Sequence, residues 1–141
     1  MSKIIVEVGE YEKARAPDTL LAGFGPCIVI GAIYGKKGYM FHHAPCNDYY
    51  RVIKPIFSDL RRDVRNRQNL KLYVAGGEIV KEDYEYNCVD DVLKRIRESD
   101  FEKCVEFIRW CMTGFCQDLE LILDDGVAGF NEDREDELLD N

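Results

Sequence analysis

The sequence predicts an α/β fold of the α+β kind, a layered sandwich of a mixed β-sheet with packed helices. Three observations carry this expectation. An almost wholly apolar, β-rich run from Cys27 to Tyr34 is answered across Gly35-Lys36-Lys37-Gly38 by a second run, Tyr39 to His43, which reads as a hairpin. Apolar residues then recur at helical spacing at Val52, Ile53, Ile56, Phe57, Leu60 and Val64. A third β-rich run, Leu70 to Ala75, returns to the sheet and ends in Gly76-Gly77.

Along the chain, Lys3 to Val8 mixes β-branched residues with charges and reads as a strand, followed by a polar loop through Pro17 and Asp18. Gly23-Phe24-Gly25-Pro26 forces a tight turn, and the strand after it is apolar on both faces, as a strand covered on both sides must be. The glycines of Gly35-Lys36-Lys37-Gly38 tolerate the positive φ of a hairpin turn. After Ala44-Pro45-Cys46-Asn47-Asp48, a helix is expected from about Tyr49 to Asn66. Asn87 and Asp90 are placed to start a second helix presenting Val89, Val92, Leu93 and Ile96. Asp100 is placed to cap a third carrying Phe101, Val105 and Ile108, and Leu119 to Leu123 reads as a last strand.

With 141 residues and 46% hydrophobic composition, the chain suits one compact domain. The net charge of −8 is uneven: eight acids against Arg134 from Asp124 onward leave −7 there and −1 before it. The expected division is therefore a folded unit over residues 1–123 and an acidic, partly disordered tail over 124–141, mobile from about Asn131, in which only Leu138 and Leu139 are available as anchors. An acidic terminus repels phosphate backbones, so nucleic acid is not an expected partner. The Arg61, Arg62, Arg65 and Arg67 cluster reads as a solvated helix face. No run approaches the roughly 18 apolar residues of a membrane helix, and Glu7 interrupts the start too early for a signal peptide, so membrane insertion and export are not expected. The expected compartment is cytoplasmic, with the six cysteines reduced.

The cysteines show no CxxC and the two histidines are adjacent, which argues against a metal site, and no cofactor is expected. Cys104, Cys111 and Cys116 lie in an apolar, helix-periodic stretch, where free cysteine serves as a small buried hydrophobe. Cys27 differs, because it stands between the glycine turn and a buried strand, held by scaffold yet able to face a cleft. A thiolate attacks acyl carbon, and a nearby histidine or backbone amides favour that ionised form. The only histidines, His42 and His43, lie on the strand that pairs with the Cys27 strand. Strand side chains alternate between faces, so at most one histidine reaches Cys27, and periodicity does not say which.

Four landmarks in order narrow the choice: Val8-Gly9-Glu10-Tyr11, Gly23-Phe24-Gly25-Pro26-Cys27, Lys36-Lys37-Gly38-Tyr39-Met40-Phe41-His42, and Ala75-Gly76-Gly77. From about Ile5 to Gly77 the chain resembles the CheD family of bacterial chemoreceptor glutamine deamidases. The resemblance implies a CheD-like layered sandwich, with Cys27 as nucleophile and His42 as general base. The implied reaction converts a glutamine side chain of a target protein, a chemoreceptor or another, to glutamate, with backbone amides around Gly25 and Cys27 holding the oxyanion. On this reading Cys27 has a pKa depressed through His42. The family's threonine six residues before the cysteine is Leu21 here, and Thr19, two residues earlier, is the candidate for orienting the histidine. Pro26 stands where the family has serine, and the segment after Gly77 lacks the family's glycine-rich, arginine-containing stretch. The alternative is a catalytically inactive protein-binding module on the same scaffold.

Overall fold

The computed structural model describes residues 1–78 and 88–134 and has an α+β architecture. Nine strands among these residues form two mixed sheets. The outer sheet has the order β1 (Lys3–Ile5), β3 (Thr19–Phe24), β8 (Phe115–Ile122), β9 (Val127–Arg134). The central sheet has the order β2 (Glu10–Arg15), β5 (Lys37–His43), β4 (Ile28–Tyr34), β6 (Leu70–Glu78), β7 (Val105–Cys111). Only β1 with β3 and β6 with β7 run parallel.

Period-two alternation in the central strands explains the layering. Ile28, Ile30 and Ala32 of β4, Tyr39 and Phe41 of β5, and Leu72 and Val74 of β6 face three helices. These are α1 (Tyr49–Val52), α2 (Lys54–Asp63) and α3 (Cys88–Glu98), which contribute Tyr49, Ile56, Leu60, Val92 and Ile96. The alternate residues, Val29, Ile33, Met40, Tyr73 and Ala75, face Leu20, Ala22, Leu119 and Leu121 of the outer sheet. Helices, central sheet and outer sheet thus form three layers with two apolar interfaces. Gly31 lets the sheets close, since a Cβ there would lie 3.1 Å from Leu119 and 3.3 Å from Leu121.

The β4–β5 hairpin pairs in full register from Ile28 with His43 to Tyr34 with Lys37. The helix expected over Tyr49 to Asn66 is divided at Ile53, because Pro55 has no N–H to donate to the preceding turn. It ends at Asp63, Val64 is extended, and Asn66 instead caps a short 3₁₀ turn over Arg67–Asn69. Tyr11 and Tyr39 of the central sheet donate to Asp59 (2.7 Å) and Asp63 (2.6 Å), which fixes α2 to the sheet. Arg61, Arg62, Arg65 and Arg67 are exposed. The expected second helix is α3, while Asn87 lies outside the described residues.

Two expectations are corrected. Asp100 starts no α-helix: it takes φ +69° and leads to a 3₁₀ turn at Glu102–Cys104 and then to β7. Cys111 and Cys116 are consequently strand residues, Cys111 buried and Cys116 partly exposed. The boundary at 124 also fails, because Val127–Arg134 pair antiparallel with β8 over all eight residues and Ala128 and Phe130 pack on the inter-sheet core. Backbone pairing to a ladder already in place supplies the order that side-chain hydrophobicity alone does not. The Leu138 and Leu139 anchors lie outside the described residues. Among those described, no helix is long and apolar enough to cross a membrane.

Candidate active site

Cys27 lies in the bend Gly25–Cys27, where the chain leaves the outer sheet at Phe24 and enters the central sheet at Ile28. It is partly buried and packs against the inter-sheet core. The bend is held from below by the end of β6. Gly77 N–H donates to the Cys27 carbonyl at 3.1 Å, and a Cβ on Gly76 would fall 1.9 Å from that same oxygen. With φ of +84° and +69°, Gly76 and Gly77 form a cradle only glycine can make, which gives the Ala75-Gly76-Gly77 landmark a physical cause.

His42 is paired with Val29, and Cys27 stands two residues before Val29, in the bend just outside the ladder that begins with Ile28 and His43. Like Met40, His42 faces the inter-sheet layer into which Cys27 packs. It is 2% exposed and lies edge-on to Phe24 at 6.1 Å between ring centroids. His43 takes the other face, stacked on Phe41 and edge-on to Tyr49, with Nδ1 2.7 Å from the Ala44 carbonyl.

The His42 Nδ1 lies 2.8 Å from the Val6 carbonyl oxygen. A carbonyl only accepts, so Nδ1 carries the proton, and in the neutral ring Nε2 is the lone-pair nitrogen. That Nε2 is buried and has no hydrogen-bond partner among the described residues. Thr19 does not orient this ring. It begins β3, paired with Lys3 and Ile122, five residues and about 16 Å from Phe24. The position of the expected threonine, Leu21, acts through its backbone: its carbonyl accepts from Val6 N–H at 2.8 Å, and Val6 in turn holds His42.

The expected depression of the Cys27 pKa is also corrected. Burial pushes the thiol up, and no hydrogen bond between Cys27 and His42 offsets it. Pro26 has no N–H, so Gly25 and Cys27 supply the amides of the bend, and neither donates a backbone hydrogen bond among the described residues. A cavity of about 310 Å³ opens on the outer side of the bend, lined by Gly25, Pro26, Cys111, Met112, Gly114 and Phe115, and neither Cys27 nor His42 lines it. No group of three His, Cys, Asp or Glu side chains gathers for a metal ion among the described residues.

Sequence reading missed Gln117. It is 2% exposed, its Oε1 accepts from Gly76 N–H at 2.8 Å, and its Nε2 donates to Glu132 Oε1 at 3.2 Å. The signal available was period two: Gln117, Leu119 and Leu121 share a face, so an amide occupies an inward position. No protein-family model matches the chain, and no curated protein matches it.

Proposed function

We propose that the protein is a cysteine-dependent protein-glutamine deamidase, with Cys27 as nucleophile and His42 as general base. The observation that carries this reading is the His42 Nε2: a buried lone pair without a donor, its tautomer fixed by Val6, on the face of the sheet into which Cys27 packs. An unsatisfied buried acceptor costs about 1–3 kcal/mol, which argues for a use. Entry of a glutamine side chain excludes water, and the Cys27 proton passes to Nε2 as sulfur bonds to the amide carbon. The oxyanion is met by the N–H groups of Gly25 and Cys27. His42 returns the proton to the amide nitrogen, the C–N bond breaks, and ammonia leaves a thioester. Water, deprotonated by His42, then adds to the thioester, the C–S bond breaks, and glutamate and the Cys27 thiol are released. The substrate is a glutamine-bearing protein, a chemoreceptor among the candidates, and a thiol nucleophile belongs in the reducing cytoplasm.

The raised thiol and the missing Cys27–His42 hydrogen bond favour a second reading, a protein-binding module on this scaffold without catalysis. A chloroketone analogue of glutamine, followed by peptide mass spectrometry, separates the two. Label on Cys27 that slows strongly in His42→Ala, with Cys27→Ala left unmodified at the site, is expected. Label confined to the other cysteines would leave the binding module as the better reading.

A further inference from the structure

We infer that Gln117 is a positioning residue for Cys27, and that Glu132 of β9 keeps it in place. The inference rests on the deamidase reading for its catalytic meaning, while the geometry stands without it. Gln117 is one of three buried polar residues among those described, with Thr19 and His42, and both ends of its amide are engaged. Its oxygen takes the N–H of Gly76, the residue whose α-carbon abuts the Cys27 carbonyl. Gly77, next in the chain, donates to that carbonyl. A line of contacts therefore runs from Glu132 through Gln117 and the glycine cradle to the backbone of Cys27.

The orientation of the Gln117 amide follows from its partners. Gly76 N–H can only donate and the Glu132 carboxylate can only accept, so the oxygen must face Gly76 and the nitrogen Glu132. Leucine at 117 fills similar space but leaves Gly76 N–H buried and unpaired. The cradle then loosens and Cys27 drifts from His42.

Labelling of full-length protein by the glutamine chloroketone, read as a maximal rate and a half-saturating concentration, tests this together with the pH profile of iodoacetamide alkylation at Cys27. Gln117→Leu should lower the maximal labelling rate on the order of 100-fold, the loss an ångström of misplacement causes, with little change in half-saturation. The alkylation profile of Cys27 should move to lower pH, because a loosened bend hydrates the thiol. A structural role that leaves the bend intact would not move that profile. Gln117→Glu alone sets two carboxylates together and should impair labelling, whereas combining it with Glu132→Gln restores one donor and one acceptor and should recover it. An unmoved profile in Gln117→Leu, or no recovery in the double variant, overturns the inference. If the wild type takes no chloroketone at Cys27, the deamidase reading falls and the iodoacetamide profile alone decides Gln117.

Discussion

At the scale of the residue, the Cys27 bend depends on two glycines that a methyl group would ruin. Gly76→Ala places a carbon against the Cys27 carbonyl at a φ of +84°, and a loss of about 2–4 kcal/mol in urea denaturation is expected. Burial that raises the Cys27 thiol gives a second expectation. Thiolate forms only as pH rises through the raised pKa, so alkylation of Cys27 should reach its half-maximal rate above the value of about 8.5 for an ordinary thiol. A midpoint below that would mean His42 stabilises the thiolate after all. Much of this site was legible in sequence: the glycine turn marked Cys27, and alternation allowed only one histidine on its face. The orienting group was not legible, because Val6 acts through a carbonyl, which every residue has, and the Leu21 side chain says nothing of its backbone.

Elements were readable where one period dominated and unreadable where it was broken. The hairpin has unbroken pairing and was plain. In β7 a register shift between the pairs at Leu72 and Tyr73 puts Val105 and Ile108 on the helix side and Phe107 on the other. Val105 and Ile108 of this bulged strand, with Phe101 before the 3₁₀ turn, therefore mimic helical spacing. The acids of β9 obscured an edge strand whose order comes from its ladder with β8. Removing the chain from Val127 onward should thus lower the melting temperature sharply or prevent folding, a loss on the order of 3 kcal/mol or more. Little change would show that β8 needs no partner there. The attachment of α2 is sensitive to acid. The Arg62 hydrogen bond, then that of Tyr39, holds the Asp63 carboxyl down at about 2. Between there and its ordinary value the folded state binds fewer protons than the unfolded, so this stabilisation is complete above the ordinary range and lost as pH falls through about 2. Asp63→Asn should flatten the decline of the urea midpoint between about pH 5 and pH 2.5.

For the whole molecule, the central sheet is shared by both apolar layers, so neither can melt alone. Leu60→Ala on the helix side and Leu121→Ala between the sheets should each cost about 2–5 kcal/mol. Both should shift a single transition that far-UV and near-UV signals follow together. Two separate transitions would show that the layers are independent. The second sheet was beyond the sequence, because a strand apolar on both faces is equally served by helices or by another sheet. Four connections pass between the sheets among the described residues, and three of them, at 6–9, 25–27 and 112–114, lie at the end that holds Cys27 and His42. The fourth, at 16–18, lies at the other end. The molecule is bound like a book with its spine at the Cys27 bend. With three of the four tethers there, separation of the two sheets is restrained most at the end that carries Cys27 and His42.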